Sequence, residues 1–279
     1  MSIKNSQLKI VNLQSRPLYL DNALSRNYSN ISIKADQDRY KSQANEYMHC
    51  ELKNISEKMK PEDIELLKKG ASEFGVMLSE KQLSLFAVFL EGLWVWNRRM
   101  NLTGISEKRE MVINLLLDSL VALPYLSPGG TVLDIGSGAG IPGLPLKIGR
   151  PEFEVHLLES KAKKISFLKD MIRKLGLKGI KACQGRAEQR NDLPTLLHFY
   201  DIVTARALAP LKKTISICSS YLEPGGLLVT FKGIRVDREI EESKQLMKEF
   251  NFKITNKILY SLPETQGNRC LLILQKGKS

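Results

Sequence analysis

The stretch that decides the fold is Thr-Val-Leu-Asp-Ile-Gly-Ser-Gly-Ala-Gly-Ile-Pro-Gly, at residues 131–143. Its β-branched and apolar start, Thr131–Ile135, predicts a buried strand. The glycines that follow can adopt positive φ and have no Cβ, so a ligand can press against their backbone N–H groups. Apolar residues with helical spacing come next. The segment therefore predicts a strand, a turn and a helix that cradle a nucleotide.

Two classes of nucleotide fit such a turn. Gly138-x-Gly140-x-x-Gly143 matches the dinucleotide fingerprint, and Glu159 follows at about the spacing of a ribose-binding acid. Alone, this match is a weak indication of NAD, because the same short pattern occurs in other nucleotide sites.

Three details favour S-adenosylmethionine over NAD. Asp134 ends the strand two residues before the first glycine. The glycines begin early, as Gly136-x-Gly138-x-Gly140, which suits a single nucleoside with a charged amino-acid tail. Downstream, Glu188 follows a third strand-like segment, where a second acid can meet an adenine. These features predict an S-adenosylmethionine site.

Composition limits the partners and the compartment. The net charge of +12 over 279 residues favours a polyanionic partner, either nucleic acid or an acidic membrane. The cysteines are far apart and the three histidines show no metal-ligand spacing, so we expect no zinc and no disulfide framework. No signal peptide or bilayer-spanning segment is recognisable, so we expect a cytoplasmic protein without a membrane anchor.

The chain divides into three parts by pattern. Residues 1–57 are rich in Ser, Asn, Gln and Lys without a sustained apolar period, which predicts a disordered extension. Residues 58–126 predict a helical N-terminal subdomain, with Ser79 as a helix N-cap. Residues 127–279 predict the methyltransferase domain, because strands and helices alternate there.

That alternation predicts an α/β fold with a mostly parallel sheet. Five strand-like segments, at 131–135, 154–158, 180–184, 201–205 and 226–231, are separated by helical or turn-rich stretches. The last two strand-like runs, Phe252–Leu262 and Cys270–Gln275, have no helix between them and predict an antiparallel hairpin. A seven-stranded sheet that ends in such a hairpin is the Rossmann-like class I methyltransferase architecture.

Four sequence blocks together resemble one family. They are Leu133-Asp-Ile-Gly-Ser-Gly-Ala-Gly-Ile-Pro-Gly-Leu-Pro145, Trp96-Asn97 with Asn101-Leu-Thr103, Leu158-Glu-Ser-x-x-Lys163-Lys-x-x-Phe167-Leu, and Ala205-Arg-Ala-Leu-Ala-Pro210. Over about residues 60–279 the chain is similar to the glucose-inhibited division protein B family, bacterial enzymes that methylate guanine N7 in small-subunit ribosomal RNA. One position departs from the family: Leu115 stands where members often carry a His.

The resemblance also implies site residues. It implies cofactor contacts at Gly136 and Ile141, adenine contacts at Ala187 and Glu188, and Arg206 near the methionine end of the cofactor. Glu159 stands where this fold places its ribose acid.

Residue chemistry suggests how such a reaction would run. Guanine N7 has a lone pair and no proton to lose, so no general base is needed and catalysis is mostly positioning. Arg206 and Lys232 follow strands at the carboxyl edge of the sheet, and Asn101 lies in a loop that can reach over it. We therefore take Arg206, Lys232 and Asn101 as candidate positioning residues, with no acid or base assigned.

The leading hypothesis is an S-adenosylmethionine-dependent methyltransferase acting on guanine N7 of 16S ribosomal RNA, free or in the small subunit. The alternative is a non-catalytic RNA-binding ribosome-assembly factor that retains the cofactor fold. An NAD oxidoreductase is disfavoured by the terminal hairpin. A basic run after the second predicted strand, from Lys161 to Lys181, is a candidate RNA contact. We expect a monomer.

Overall fold

A computed structural model describes residues 59–193, 196 and 199–278 of the chain. The predicted disordered extension at residues 1–57 lies outside these residues, as do Cys50, His49 and His198. The described residues belong to one compact unit, Cys50–Ser279.

Helices come first along the chain. Helices α1 (Pro61–Glu73) and α2 (Glu80–Met100) are followed by α3 (Lys108–Met111), a π-helical stretch (Val112–Leu117) and α4 (Asp118–Leu120). Ser79 caps α2 as predicted, because its hydroxyl accepts from the Gln82 backbone N–H while the Gln82 side chain accepts from the Ser79 backbone N–H. The Gln82 amide also donates to the carbonyls of Ile148 and Gly149, both at 3.0 Å.

Strands and helices then alternate. The strands are β1 (Thr131–Ile135), β2 (Glu154–Glu159), β3 (Ile180–Gln184), β4 (Tyr200–Arg206), β5 (Leu222–Lys232), β6 (Phe252–Tyr260) and β7 (Arg269–Lys276). The intervening helices are α5 (Gly143–Gly149) after β1, α6 (Ala162–Lys174) after β2, α7 (Leu211–Cys218) after β4 and α8 (Val236–Glu249) after β5.

The seven strands form one sheet in the order β3-β2-β1-β4-β5-β7-β6. The first five pair in parallel, whereas β7 runs antiparallel to both β5 and β6. The predicted α/β architecture with a C-terminal antiparallel hairpin is therefore confirmed. The strand order reverses between β1 and β4, and such a reversal opens a ligand crevice at the carboxyl edge of the strands.

Two hydrophobic layers cover the two faces of the sheet. Alternation along β1 places Val132 in one layer and Leu133 in the other. The first layer contains residues of the N-terminal helices together with those of α5 and α6, and the second contains residues of α7 and α8. The N-terminal helices thus share a core with the sheet. Leu115 is part of that core and is 4% exposed.

Candidate cofactor and substrate site

The glycine turn after β1 is held in shape by the end of β2. Gly136, Gly138 and Gly140 all have positive φ, at 72°, 55° and 78°. The N–H groups of Gly136 and Ser137 both donate to the carbonyl of Leu158, at 2.9 and 3.1 Å. The turn therefore needs glycine where the backbone is left-handed, and it projects from the carboxyl edge of the sheet.

Two loops meet at Gly136. A Cβ built on this glycine would lie 3.1 Å from the Cδ1 atom of Leu208, which belongs to the loop after β4. That distance is tighter than ordinary van der Waals contact, so a larger residue here would press the two loops apart. The glycine turn and the loop after β4 therefore border one crevice.

Asp134 supports this turn from beneath. Its carboxylate is buried and accepts from the Thr204 hydroxyl on β4 at 2.8 Å and from the Gly143 N–H at 3.2 Å. Burial raises the pKa of Asp134 to about 6, although both hydrogen bonds act in the opposite direction. The Asp134 side chain thus joins β1 to β4 and to the first residue of α5. These contacts place the carboxylate beneath the glycine turn.

Glu159 lies at the end of β2 beside the turn. Its side chain is buried; Oε2 accepts from the Gly138 N–H at 3.0 Å and Oε1 accepts from the Lys161 N–H at 2.8 Å. The Lys164 ammonium is close to the same turn, since a Cβ on Gly138 would lie 3.5 Å from its Nζ atom. The predicted ribose acid and the predicted glycine turn are therefore in direct contact.

The residues predicted around the adenine follow β3. The carbonyl of Ala187 accepts from the Tyr221 hydroxyl at 2.7 Å. The Glu188 side chain is exposed and lies 4.0 Å from Lys213. Ile141, in the glycine turn, is buried. Ala187 is thus fixed by a hydrogen bond, whereas the Glu188 carboxylate has solvent around it.

Arg206, the last residue of β4, bonds to the N-terminal helices. Its Nε–H donates to Oδ2 of Asp118 at 2.8 Å, and its Nη2 donates to the carbonyl of Asn114 at 2.7 Å. Asn114 lies in the π-helical stretch, and such stretches often occur at functional sites. The guanidinium therefore joins the edge of the sheet to the helical layer.

Two residues of the hairpin complete the surroundings of Asp118. Tyr260 and Arg269 are register partners on β6 and β7. The Tyr260 hydroxyl donates to Oδ1 of Asp118 at 2.7 Å, and Nη1 of Arg269 lies 3.1 Å from the same oxygen. Burial, and then the charge of Asp118, raises the pKa of the Tyr260 phenol, which therefore stays a neutral donor.

Lys232, at the end of β5, anchors the loop after β4. Its Nζ donates to the carbonyl of Ala209 at 3.0 Å and to Oε2 of Glu239 at 2.8 Å, and its side chain is only 9% exposed. The Leu211 N–H donates to the same Glu239 oxygen at 2.7 Å. The Lys232 ammonium, which the sequence predicts as a positioning group for substrate, therefore holds the loop after β4 in place.

These groups surround a cavity of about 550 Å³ between the carboxyl ends of β4 and β5. The ionisable residues on its wall are Asp118, Arg206, Lys232, Glu239, Tyr260 and Arg269. Leu208 lines it too, and the same side chain reaches Gly136, so the cavity is next to the glycine turn. Ala207 on its wall has a φ of 51°, a strained conformation for a non-glycine residue, and such strain is often found at functional sites.

The third candidate positioning residue, Asn101, is outside this wall. It is exposed and ends α2 in a left-handed conformation, with a φ of 49°. The neighbouring Asn97 holds the loop, since its amide donates to the Ile105 carbonyl at 2.7 Å and accepts from the Thr103 N–H at 2.8 Å. Trp96 is tied to α6, because its indole N–H donates to Asp170 at 3.0 Å.

Four ionisable residues of the cavity wall, Asp118, Glu239, Tyr260 and Arg269, were not predicted from the sequence. Asp118 could have been found, because it interrupts the apolar helical run Val112–Leu123, and a buried carboxylate needs a partner. Glu239, Tyr260 and Arg269 gave no such indication, since nothing in the local sequence distinguishes them from solvent-exposed residues of the same type.

Among the described residues, no group of three or more His, Cys, Asp or Glu side chains is arranged to hold a metal ion. None of the helices between residues 59 and 278 is both long and apolar enough to cross a bilayer.

The family model and the relatives that match this chain share one description. The family model GidB, described as rRNA small subunit methyltransferase G, matches residues 82–265. A protein named ribosomal RNA small subunit methyltransferase G from Lachnoclostridium phytofermentans is 36% identical over 212 residues, which cover 75% of this chain and 88% of that protein. Its namesake from Caldanaerobacter subterraneus is 36% identical over 220 residues, covering 78% and 92%. The chain therefore belongs to the GidB family, rRNA small subunit methyltransferase G.

Proposed function

We propose that this protein transfers a methyl group from S-adenosylmethionine to N7 of a guanine in 16S ribosomal RNA. One observation supports it most: a glycine turn held by Glu159 borders a charged cavity large enough for a nucleotide, in a chain of the GidB family. The substrate is the RNA or the small subunit, and we expect the enzyme to act as a cytoplasmic monomer.

The glycine turn fits the cofactor. Three left-handed glycines leave backbone without Cβ atoms at the crevice, and Leu208 closes it from the opposite loop. Glu159 keeps lone pairs beyond its two backbone bonds, and these can accept from ribose hydroxyls. Ala187 and Glu188 would flank the adenine, while Ile141 would pack against the nucleoside. Asp134 holds the turn in place from behind.

Arg206 would bind the carboxylate of the methionine moiety. Its Nε and Nη2 atoms bond to Asp118 and Asn114, and a guanidinium has five donors in all, so donors remain for a ligand. The surrounding contacts fix its plane before any ligand arrives, which lowers the entropic cost of binding.

The cavity would hold the target base. When bound, S-adenosylmethionine supplies a methyl group already activated by its sulfonium. The in-plane lone pair of guanine N7 would form the bond to that methyl carbon, while the carbon–sulfur bond would break and leave its electron pair on sulfur. No proton leaves the base, so the chain has only to position N7, exclude water and orient the guanine. Holding two reactants in a near-attack pose is worth about 7–11 kcal/mol.

The basic surface of α6 would contact the RNA backbone. Lys163 and Lys169 are exposed there, whereas Arg173 and Lys174 pair with Asp170. Their hydrogen bonds, with that of Trp96, hold the pKa of Asp170 below its usual value against the effect of burial. Exposed lysines add salt-dependent affinity for phosphates.

The test combines two measurements. Mass-spectrometric mapping of 16S ribosomal RNA from cells with and without the gene should find one 7-methylguanosine that depends on it. Purified protein with small subunits from the deletion strain and radiolabelled S-adenosylmethionine should then restore that nucleoside at the same position. RNA binding without any methyl transfer would contradict the proposal and favour a non-catalytic assembly factor.

A further inference from the structure

Glu239 is a carboxylate on the cavity wall with one oxygen fully engaged and the other not. Oε2 accepts both from the Leu211 N–H at 2.7 Å and from Lys232 Nζ at 2.8 Å. Oε1 has no hydrogen bond to any residue that the structure describes. The side chain is therefore fixed by two donors while half of its accepting capacity stays available.

The other carboxylate of the cavity wall differs in this respect. Both oxygens of Asp118 are occupied: Tyr260 and Arg269 bond to Oδ1, and Arg206 bonds to Oδ2. All residues that line the cavity are described, so Oε1 of Glu239 is its one carboxylate oxygen without a hydrogen bond. An ionised carboxylate only accepts, and this oxygen is therefore suited to a ligand that presents N–H donors.

Guanine presents such donors on the edge away from N7. Its N1–H and its exocyclic N2 amine are adjacent, whereas adenine has an acceptor at N1 and no amine at C2. We propose that Glu239 selects guanine, with Oε1 accepting from the N1–H and N2 amine of the target base. This inference rests on the proposed guanine-N7 reaction. A base taken out of a stack is read in this way, by hydrogen bonds to its Watson–Crick edge.

The same contact would assist the reaction. Methylation of N7 makes the purine cationic, so its N1–H and N2 amine become stronger donors as the new bond forms. A carboxylate bonded to them therefore stabilises the transition state more than the ground state. Lys232 and the Leu211 N–H keep the carboxylate from moving away, which makes Lys232 a positioning residue for Glu239.

A single change of atom type tests the proposal. Glu239→Gln keeps an oxygen for Leu211 and Lys232 but places an NH₂ donor where Oε1 accepted. Glu242→Gln is the matched control, because Glu242 lies one turn along α8 in an exposed pair with Arg238. The substrates are small subunits reconstituted with 16S ribosomal RNA that carries guanine or inosine at the mapped position. Inosine keeps N7 and N1–H and lacks only the N2 amine.

The ratio of kcat/KM for guanine to kcat/KM for inosine is the deciding quantity. The wild type and Glu242→Gln should prefer guanine by about tenfold or more, as expected for the loss of one hydrogen bond to a charged group. Glu239→Gln should lose about 100-fold in kcat/KM on guanine, and its guanine-to-inosine ratio should fall to about 1. The affinity of Glu239→Gln for S-adenosylhomocysteine, measured by calorimetry, should stay within about twofold of the wild type.

Because the ratio compares two substrates on one variant, a general weakening of the fold does not change it. An unaltered guanine preference in Glu239→Gln, or equal rates on guanine and inosine in the wild type, would overturn the role of Glu239. A wild-type enzyme that makes no 7-methylguanosine at all would instead overturn the proposed function.

Discussion

Two buried carboxylates support the two halves of the site in different ways. Asp134, under the glycine turn, is 0% exposed and is bonded by neutral groups, the Thr204 hydroxyl and the Gly143 N–H. Asp118, beside the cavity, is 2% exposed and is bonded by two guanidinium groups and a phenol. Neutral donors compensate burial only in part, and the pKa of Asp134 is raised to about 6.

The different partners of Asp134 and Asp118 suit the different tasks of the glycine turn and the cavity. The glycine turn needs a fixed backbone, and a carboxylate with neutral partners holds it without bringing a cation beneath it. The cavity needs cationic side chains at a set position, and a buried carboxylate between Arg206 and Arg269 holds both of them there. The glycine turn is thus held by carboxylates that accept from neutral donors, whereas the cavity wall is held by ion pairs.

Asp118→Asn should have the largest effect. The substitution removes the one counterion between Arg206 and Arg269, and breaking a buried ion pair costs about 3 kcal/mol or more. We expect the free energy of unfolding in urea to fall by that amount and methyl transfer to be lost. Asp237→Asn, which breaks an exposed pair with Lys257, is the control and should cost well under about 1 kcal/mol. Equal losses in the two variants would show that the charged network does not stabilise the cavity.

Asp134→Asn should reveal the raised pKa through the pH dependence of stability. In the folded state Asp134 takes up its proton near pH 6, whereas in the unfolded state it does so near 3.8. Wild-type stability should therefore rise relative to the variant as the pH falls from 7 to 4, by at most about 3 kcal/mol.

His156 changes the wild-type curve in the opposite direction. Burial, and then the charge of Lys181, lowers its pKa to about 4, so stability is lost as the pH falls below about 6.5. Both proteins contain His156, so its contribution cancels in the difference between them. A difference that is flat between pH 4 and 7 would mean that Asp134 titrates normally in the folded protein.

Arg206→Ala should affect both halves, because Arg206 bonds to Asp118 and its charge also acts on Asp134. We expect the affinity for S-adenosylhomocysteine to fall by about 1.5–3 kcal/mol, the worth of a hydrogen bond between charged groups. Calorimetry measures this, with Arg238→Ala on the exposed face of α8 as the control. Unchanged affinity would assign Arg206 to the cavity alone.

Tyr260→Phe should have the smallest effect. It removes one neutral donor to Asp118 while both guanidinium groups remain. The free energy of unfolding should therefore be about 1 kcal/mol lower than in the wild type. The affinity for S-adenosylhomocysteine should not change. A loss as large as that of Asp118→Asn would mean that the phenol, and not the charges, organises the cavity.

Much of the architecture was predictable from the sequence. Strand-like segments separated by helical or turn-rich stretches predicted β1 to β5. The absence of a helix between the last two strands predicted the hairpin. The structure starts β5 at Leu222 instead of 226, because Leu222 already pairs with Tyr200 of β4 before an irregularity in the register. The helical subdomain predicted at residues 58–126 contains the π-helical stretch Val112–Leu117, which periodicity does not distinguish from α-helix.

The sequence by itself determined the order of the elements and the glycine turn, because strand, turn and helix preferences act between near neighbours. Only the tertiary structure decided the cavity. Asp118 meets Arg206 across 88 positions and Tyr260 across 142, through a strand order that places the hairpin beside β5. Contacts between such distant side chains depend on how helices and strands pack, and no local pattern of residues encodes that packing.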